Sequence, residues 1–265
     1  MQLAIEIVKP SAELKTPPEF FDWMLKWAEW CSLLSHKNED KQTDYSAERF
    51  LRKWTIDGKT EQSRHESILE HVGLLSFHLV MSRCASHQLV RHRIGVAYTQ
   101  ESQRYCDYSH PKYGNCLKVI CPPSIADADE CVVVASLDGD DYTYALVLPD
   151  GSGENIHVMG EPFVRFARTC LRAYGNYLWL REQKVPPEDA RFVLPNAAKT
   201  EIAVTCNARA LRHFFRMRLD KHAQWEVRSI AGQMHAALVE RMPALFDDEE
   251  MRALRAATYW RDIDG

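Results

Sequence analysis

The sequence predicts a mixed α/β chain, and three observations point there. Segments with strand character recur at residues 2–8, 72–81 and 200–206, the first and last with alternating polarity. Long segments with an apolar stripe at helical spacing run over about 162–183 and 221–241. A length of 265 residues, 46% hydrophobic and 26% charged, is enough to bury a full core around such elements as a single domain.

The elements follow in order. Met1–Lys9 alternates like a strand and is too short and acidic for a signal peptide. Pro17-Pro18 opens a helix whose apolar side carries Phe20, Phe21, Trp23, Met24, Trp27 and Trp30. Residues 36–46 read as a loop and 46–55 as another helix. Gly58-Lys59-Thr60 lacks the earlier glycine of a phosphate loop, where Lys53 stands instead. Ser67-Ile68-Leu69-Glu70 has the form of a capping box. Residues 72–81 read as a buried strand, and a helix over 83–91 sets His87 and Arg91 on one face. Residues 117–121, 131–136 and 142–148 form short strands, with turns at Asp138–Asp141 and Asp150–Gly153. Pro162 starts the first long helix. Pro186-Pro187-Glu188-Asp189 starts a short helix or turn carrying Arg191. A strand over 200–206, a helix over 208–218 and a last long helix capped by Asp220 complete the chain.

Charge and cysteine usage narrow the function classes. The formal charge is 33 − 37 = −4, which argues against a general nucleic-acid coat. No apolar run approaches membrane-spanning length. The eight cysteines are scattered without a CxxC pair and read as reduced thiols of a cytoplasmic protein. Cys106, His110, Cys116 and Cys121 fit no common zinc spacing, and the acidic turns near 140 and 150 match no calcium loop, so no metal is expected. Arginines and tyrosines around 91–105 and 212–221 leave a second reading, a nucleotide- or nucleic-acid-binding protein without catalysis.

The most informative stretch is 87–105. Its nineteen residues include three arginines, two histidines, two tyrosines, three glutamines and Ser102, with no lysine. Arginine is favoured where an oxyanion is held by two parallel hydrogen bonds. The residues alone therefore point to a pocket for a phosphorylated, planar ligand.

Arg91-His92-Arg93, a short spacer, and Ser102-Gln103-Arg104-Tyr105 resemble the signature of the flavin-dependent thymidylate synthases. A second block agrees downstream, at Asn207-Ala208-Arg209 and Arg218-Leu219-Asp220-Lys221-His222-Ala223-Gln224-Trp225-Glu226. The resemblance covers roughly 60–245, with a β-rich insertion at about 125–160, and implies one catalytic domain over 1–265. It implies a central sheet with long helices, assembled as a homotetramer with active sites shared between subunits. The implied reaction is reductive methylation of dUMP to dTMP. Methylenetetrahydrofolate supplies the carbon, and NADPH the reducing equivalents through FAD. Arg218 is the implied catalytic residue. The implied dUMP contacts are Gln88, Arg91, Gln100, Glu101, Ser102, Gln103, Arg104, Arg191 and Arg218. The FAD contacts are Ser67, Arg91, His92, Arg93, Gln100, Asn207, Arg209, His213 and His222. No GxGxxG fingerprint exists, which fits a family with its own flavin fold. Three departures stand out. The spacer from Arg93 to Ser102 has eight residues where seven are usual. Ala97 replaces a usual serine, and His213 stands where asparagine is frequent.

Overall fold

A computed structural model describes residues 3–57, 64–128, 131–138 and 141–256. Gly58-Lys59-Thr60 and the middle of the Asp138–Asp141 turn lie outside them. The chain runs β1 (Leu3–Ile7), β2 (Ser11–Leu14), α1 (Glu19–Leu34), α2 (Ala47–Leu51), β3 (Leu75–Ser82), α3 (Arg83–Leu89), β4 (Val96–Gln100) and β5 (Cys116–Val119). It continues through β6 (Cys131–Asp138), β7 (Asp141–Val147), β8 (Gly153–Asn155), α4 (Gly160–Glu182), α5 (Pro187–Ala190), β9 (Lys199–Cys206), α6 (Ala208–Arg218), α7 (Trp225–Arg241), α8 (Pro243–Phe246) and α9 (Glu249–Ala256). The mixed α/β class is therefore as expected, but the strands form two sheets of five and four rather than one central sheet. Two compact units divide the chain: Met1–Pro10, Val80–Ser86 and Gln100–Glu201 form the first, and Ser11–Leu79, His87–Thr99 and Ile202–Gly265 the second.

The first unit holds the five-stranded sheet, ordered β5-β1-β6-β7-β8. β1 pairs in parallel with β5 and antiparallel with β6, and β7 and β8 continue antiparallel. Alternation puts Leu3, Ile5 and Ile7 on the buried face, beside Val133 and Ala135 of β6. α4 covers that face. Phe163, Ala167, Cys170, Leu171 and Tyr174 recur at three- and four-residue intervals and are all essentially buried, so its stripe is core. The larger of these, Phe163 and Leu171, each contribute roughly 1.5–3 kcal/mol by leaving water. Gly175 lets helix and strand close up, since a Cβ there would stand 3.1 Å from Leu3 Cδ1.

The second unit carries most of the four-stranded sheet, ordered β2-β3-β9-β4. Thr16 fastens the entry to β3: its hydroxyl accepts from the Ser76 N–H at 2.8 Å and donates to the Leu74 carbonyl at 2.9 Å. In α1 the buried side is Phe21, Met24, Leu25 and Ala28. Trp23 and Trp27 lie outside it, 53% and 41% exposed. They stack with Trp30 along the helix, at centroid spacings of 6.2 and 5.2 Å. The helix expected over 46–55 is α2 followed by a π-helical turn at Arg52–Ile56. α7 begins at Trp225, capped by the Gln224 side-chain oxygen Oε1, which accepts from the N–H groups of Glu226 and Val227. Asp220, the expected cap, instead closes a turn onto the His222 N–H at 2.8 Å. Arg212 of α6 is 2% exposed and pairs with Asp248 at 2.6 Å, which ties the C-terminal turns to this helix.

Candidate active site

The cluster in the second unit is built on the turn from α3 to β4. α3 stops at Leu89, so Arg91 leaves the helix face expected for it and, with Arg93, stands exposed in the turn. Neither arginine makes an ion pair among the described residues. His92 turns inward. Its ring meets Phe214 edge-on at 5.0 Å and His213 at 6.0 Å. Burial, then the nearby Arg218 and His213, depress the imidazole to about 4. His92 is therefore neutral near pH 7, and Nε2 accepts from Arg218 Nε at 3.0 Å. The Nδ1–H tautomer follows.

Arg218 is the last residue of α6. Its other two nitrogens donate to Gln88, one to Oε1 at 3.4 Å and one to the carbonyl at 3.3 Å. A guanidinium has five N–H groups. Three are engaged, which leaves one on each terminal nitrogen for a ligand. Tyr98 supports the turn from below. Its hydroxyl lies 2.9 Å from the Leu89 carbonyl and 2.7 Å from that of His92, and its single proton serves both.

The eight-residue spacer contains Gly95, where φ is +70°. A Cβ there would stand 2.6 Å from Asn207 Nδ2. Asn207 has a structural task of its own. Its Oδ1 caps α6 by accepting from the Ala210 N–H at 2.8 Å. α6 then presents Arg209 and His213 on an exposed face, one turn apart. Arg209 is engaged by Glu70 and Glu66. His222 is exposed beyond the helix end, so the break between Arg218 and His222 is present as expected.

Ser67 lies in a 3-10 turn over Glu66–His71 whose cap position is His65, without a side-chain cap bond. The capping-box reading of Ser67 is therefore overturned. The hydroxyl is exposed and opens on a cavity of about 470 Å³, walled in part by Phe50, Trp54, His65 and Ile68.

In the first unit the residues from Gln100 to Arg104 follow β4. The Gln100 amide donates to Thr200 at 3.1 Å and Ser86 at 3.3 Å. Gln103 is buried, while Ser102 and Arg104 stay accessible. The Glu101 carboxylate turns inward to Tyr108 and Lys199. Arg104 Nε donates to the Glu188 carboxylate at 2.8 Å, and Arg191 Nε donates to the Glu188 carbonyl at 3.0 Å. Two guanidiniums thus converge on one residue, and an incoming anion must compete with its carboxylate for Arg104.

Sequence reasoning missed Glu188, Tyr98, Gly95 and the aromatic wall beside Ser67. The glycine in an over-long spacer was the signal for a left-handed turn. Glu188 was read only as part of a helix start. Trp54 is brought to His65 and the Ser67 turn by tertiary packing, which no local pattern announces.

The donor chemistry suits an anionic, planar group. Two unpaired arginines two residues apart match a polyphosphate, and Asn207, His213 and His222 offer polar contacts to a heteroaromatic edge. The sequence pattern of the family described as thymidylate synthase complementing protein, Thy1, matches residues 24–244. The chain is 36% identical over 184 residues to the flavin-dependent thymidylate synthase of Geobacter sulfurreducens, covering 69% of this chain and 64% of that one. It is 33% identical over 217 residues to that of Pyrococcus furiosus, covering 80% and 73%. The match thus spans less than two thirds of the Geobacter protein's length. A solved UMP/dUMP methylase, PolB from Streptomyces cacaoi bound with 5-Br dUMP, shares the fold. Its TM-score is 0.60 at 22% identity, covering 96% of this chain and 95% of the other. Together these matches place the chain in the Thy1 family, that of the flavin-dependent thymidylate synthases.

Proposed function

We propose that this protein is a flavin-dependent thymidylate synthase that converts dUMP to dTMP. Methylenetetrahydrofolate is the carbon donor, NADPH the reductant and FAD the cofactor. The observation that carries the reading is Arg218, gripped by His92 and Gln88 yet left with one free N–H on each terminal nitrogen. Methylation at C5 of a uracil requires electron density on that carbon. A guanidinium at the O2/N3 edge stabilises the negative charge that develops on the ring. Arg218 takes that task, with Gln88 beside it.

Ser102, Arg104 and Arg191 hold the phosphate, with Gln100, Gln103 and the Glu101 backbone shaping their loop. Arg91 and Arg93 hold the FAD pyrophosphate. Ser67, His92, Asn207, Arg209, His213 and His222 contact the rest of the cofactor, and the family assignment supports each of these roles. Bound there and reduced by NADPH, the flavin would supply the hydride of the reaction. The chain's own residues orient the nucleotide and polarise its ring. We further propose that the catalytic domain spans the whole chain, that residues 125–160 are an addition to the family pattern, and that the cytoplasmic enzyme is a homotetramer with shared active sites.

A visible spectrum tests this reading, followed by anaerobic NADPH with and without dUMP. Flavin bands that bleach faster with dUMP support both sites at once. A colourless protein that takes up no FAD and ignores dUMP overturns the reading in favour of a non-catalytic nucleotide binder.

A further inference from the structure

Every polar group of Glu101 is engaged inside the first unit. Its N–H donates to the Glu201 carbonyl at 2.8 Å, and its own carbonyl accepts from Arg83 Nη2 at 2.8 Å. Oε1 accepts from the Tyr108 hydroxyl at 2.9 Å, and Oε2 from Lys199 Nζ at 3.0 Å. The two charged side chains are 12% and 13% exposed. Lys199 also holds Glu201 at 2.6 Å. Burial opposes the Lys199 charge, but the two carboxylates outweigh it and the ammonium is raised above its ordinary value.

The anchor is itself fixed. Tyr108 is 6% exposed, its N–H donates to the Tyr177 hydroxyl at 3.1 Å, and its carbonyl accepts from the Tyr174 hydroxyl at 3.0 Å. Glu101 is thereby tied to the core helix α4. The exposed turn starts at the next residue, where the Ser102 carbonyl accepts from the N–H groups of Tyr105 and Cys106 at 3.1 and 2.8 Å. A buried ion pair adds little net stability over apolar packing, because desolvation offsets the attraction. Fixing a geometry is the better-supported use of such a pair here.

We propose that Glu101 is a positioning residue, whose carboxylate, held between Lys199 and Tyr108, sets the loop that offers Ser102 and Arg104 to the substrate phosphate. This rests on the nucleotide reading above and removes the Glu101 side chain from the substrate contacts, leaving only its backbone there. Its neighbour Arg104 touches the ligand, and Glu101 acts through it.

The test uses the full chain loaded with FAD, as wild type, Glu101→Gln, and Glu101→Gln combined with Lys199→Met. Two quantities are read: dUMP affinity with steady-state kinetics, and hydrogen exchange of the 101–106 amides. Glu101→Gln weakens dUMP about tenfold in Kd and KM. Its kcat at saturation and its FAD affinity stay unchanged, and exchange speeds up only in that loop. The double variant binds dUMP about as weakly as the single, because Lys199 acts on the loop through Glu101. Unchanged affinity with unchanged exchange, a fall in kcat without a rise in KM, or a double variant that regains wild-type affinity overturns the proposal. If the wild type binds no dUMP, the nucleotide reading fails instead. Loop exchange then decides the anchor alone: faster exchange in Glu101→Gln keeps it, and unchanged exchange removes it.

Discussion

His92 and Arg218 show how a short basic motif divides its labour. Arg91 and Arg93 stay in water, while the histidine between them folds under Phe214 and becomes an acceptor. Replacing Arg218 with alanine removes the group proposed to polarise uracil and leaves the proposed FAD contacts in place. The expected result is thymidylate formation below detection with the flavin spectrum retained, and normal turnover would remove Arg218 from the mechanism. His92 carries a pH signature. Its folded value of about 4 lies below the ordinary 6.5, so the unfolded chain takes up the proton first as pH falls. The stabilising contribution is complete above 6.5 and is lost as pH drops towards 4, where protonation also strips Arg218 of its acceptor. Urea unfolding across that window shows a steeper loss of stability for wild type than for His92→Asn. Parallel slopes in the two proteins contradict the assignment.

At the scale of elements, the spacer turns through one left-handed residue, Gly95. Gly95→Ala meets two penalties, a positive φ and a Cβ driven against Asn207. The expected loss is about 1–3 kcal/mol in urea unfolding, with weaker FAD retention because Asn207 both caps α6 and stands in the cofactor set. An unchanged midpoint would show that the turn relaxes freely. Much of this scale was legible beforehand. The stripe of α4, the alternation of β1 and β9, and the end of α6 at Arg218 follow from periodicity, whereas the cap expected at Asp220 is supplied by Gln224. β4 was not legible, because Val96–Gln100 lies within a motif whose polar residues mask the strand pattern. The tryptophans of α1 misled the reading for a physical reason. Large aromatic rings can stack on each other along a helix as well as on a core, and hydrophobicity does not distinguish the two.

At the scale of the molecule, the site residues were legible as a set, but their partners were not. The spacing of Arg91, Ser102, Arg104, Asn207 and Arg218 carried the family likeness. Glu188 on Arg104, Lys199 on Glu101 and His92 under Arg218 depend on contacts 84, 98 and 126 residues apart in sequence. Such pairs leave no local trace. The proposed homotetramer belongs to this scale as well. Sedimentation equilibrium of the FAD-loaded protein should give four times the 30.6 kDa chain mass, and a monomer active at the same concentration would contradict shared sites.

The most direct measurement is product analysis. The FAD-loaded protein is incubated with dUMP, methylenetetrahydrofolate and NADPH, and the nucleotides are separated by chromatography. The account predicts dTMP, dependent on all three substrates and absent with Arg218→Ala. Unchanged dUMP alongside bound FAD and consumed NADPH would contradict it, leaving a flavoprotein that oxidises NADPH without methylating its nucleotide.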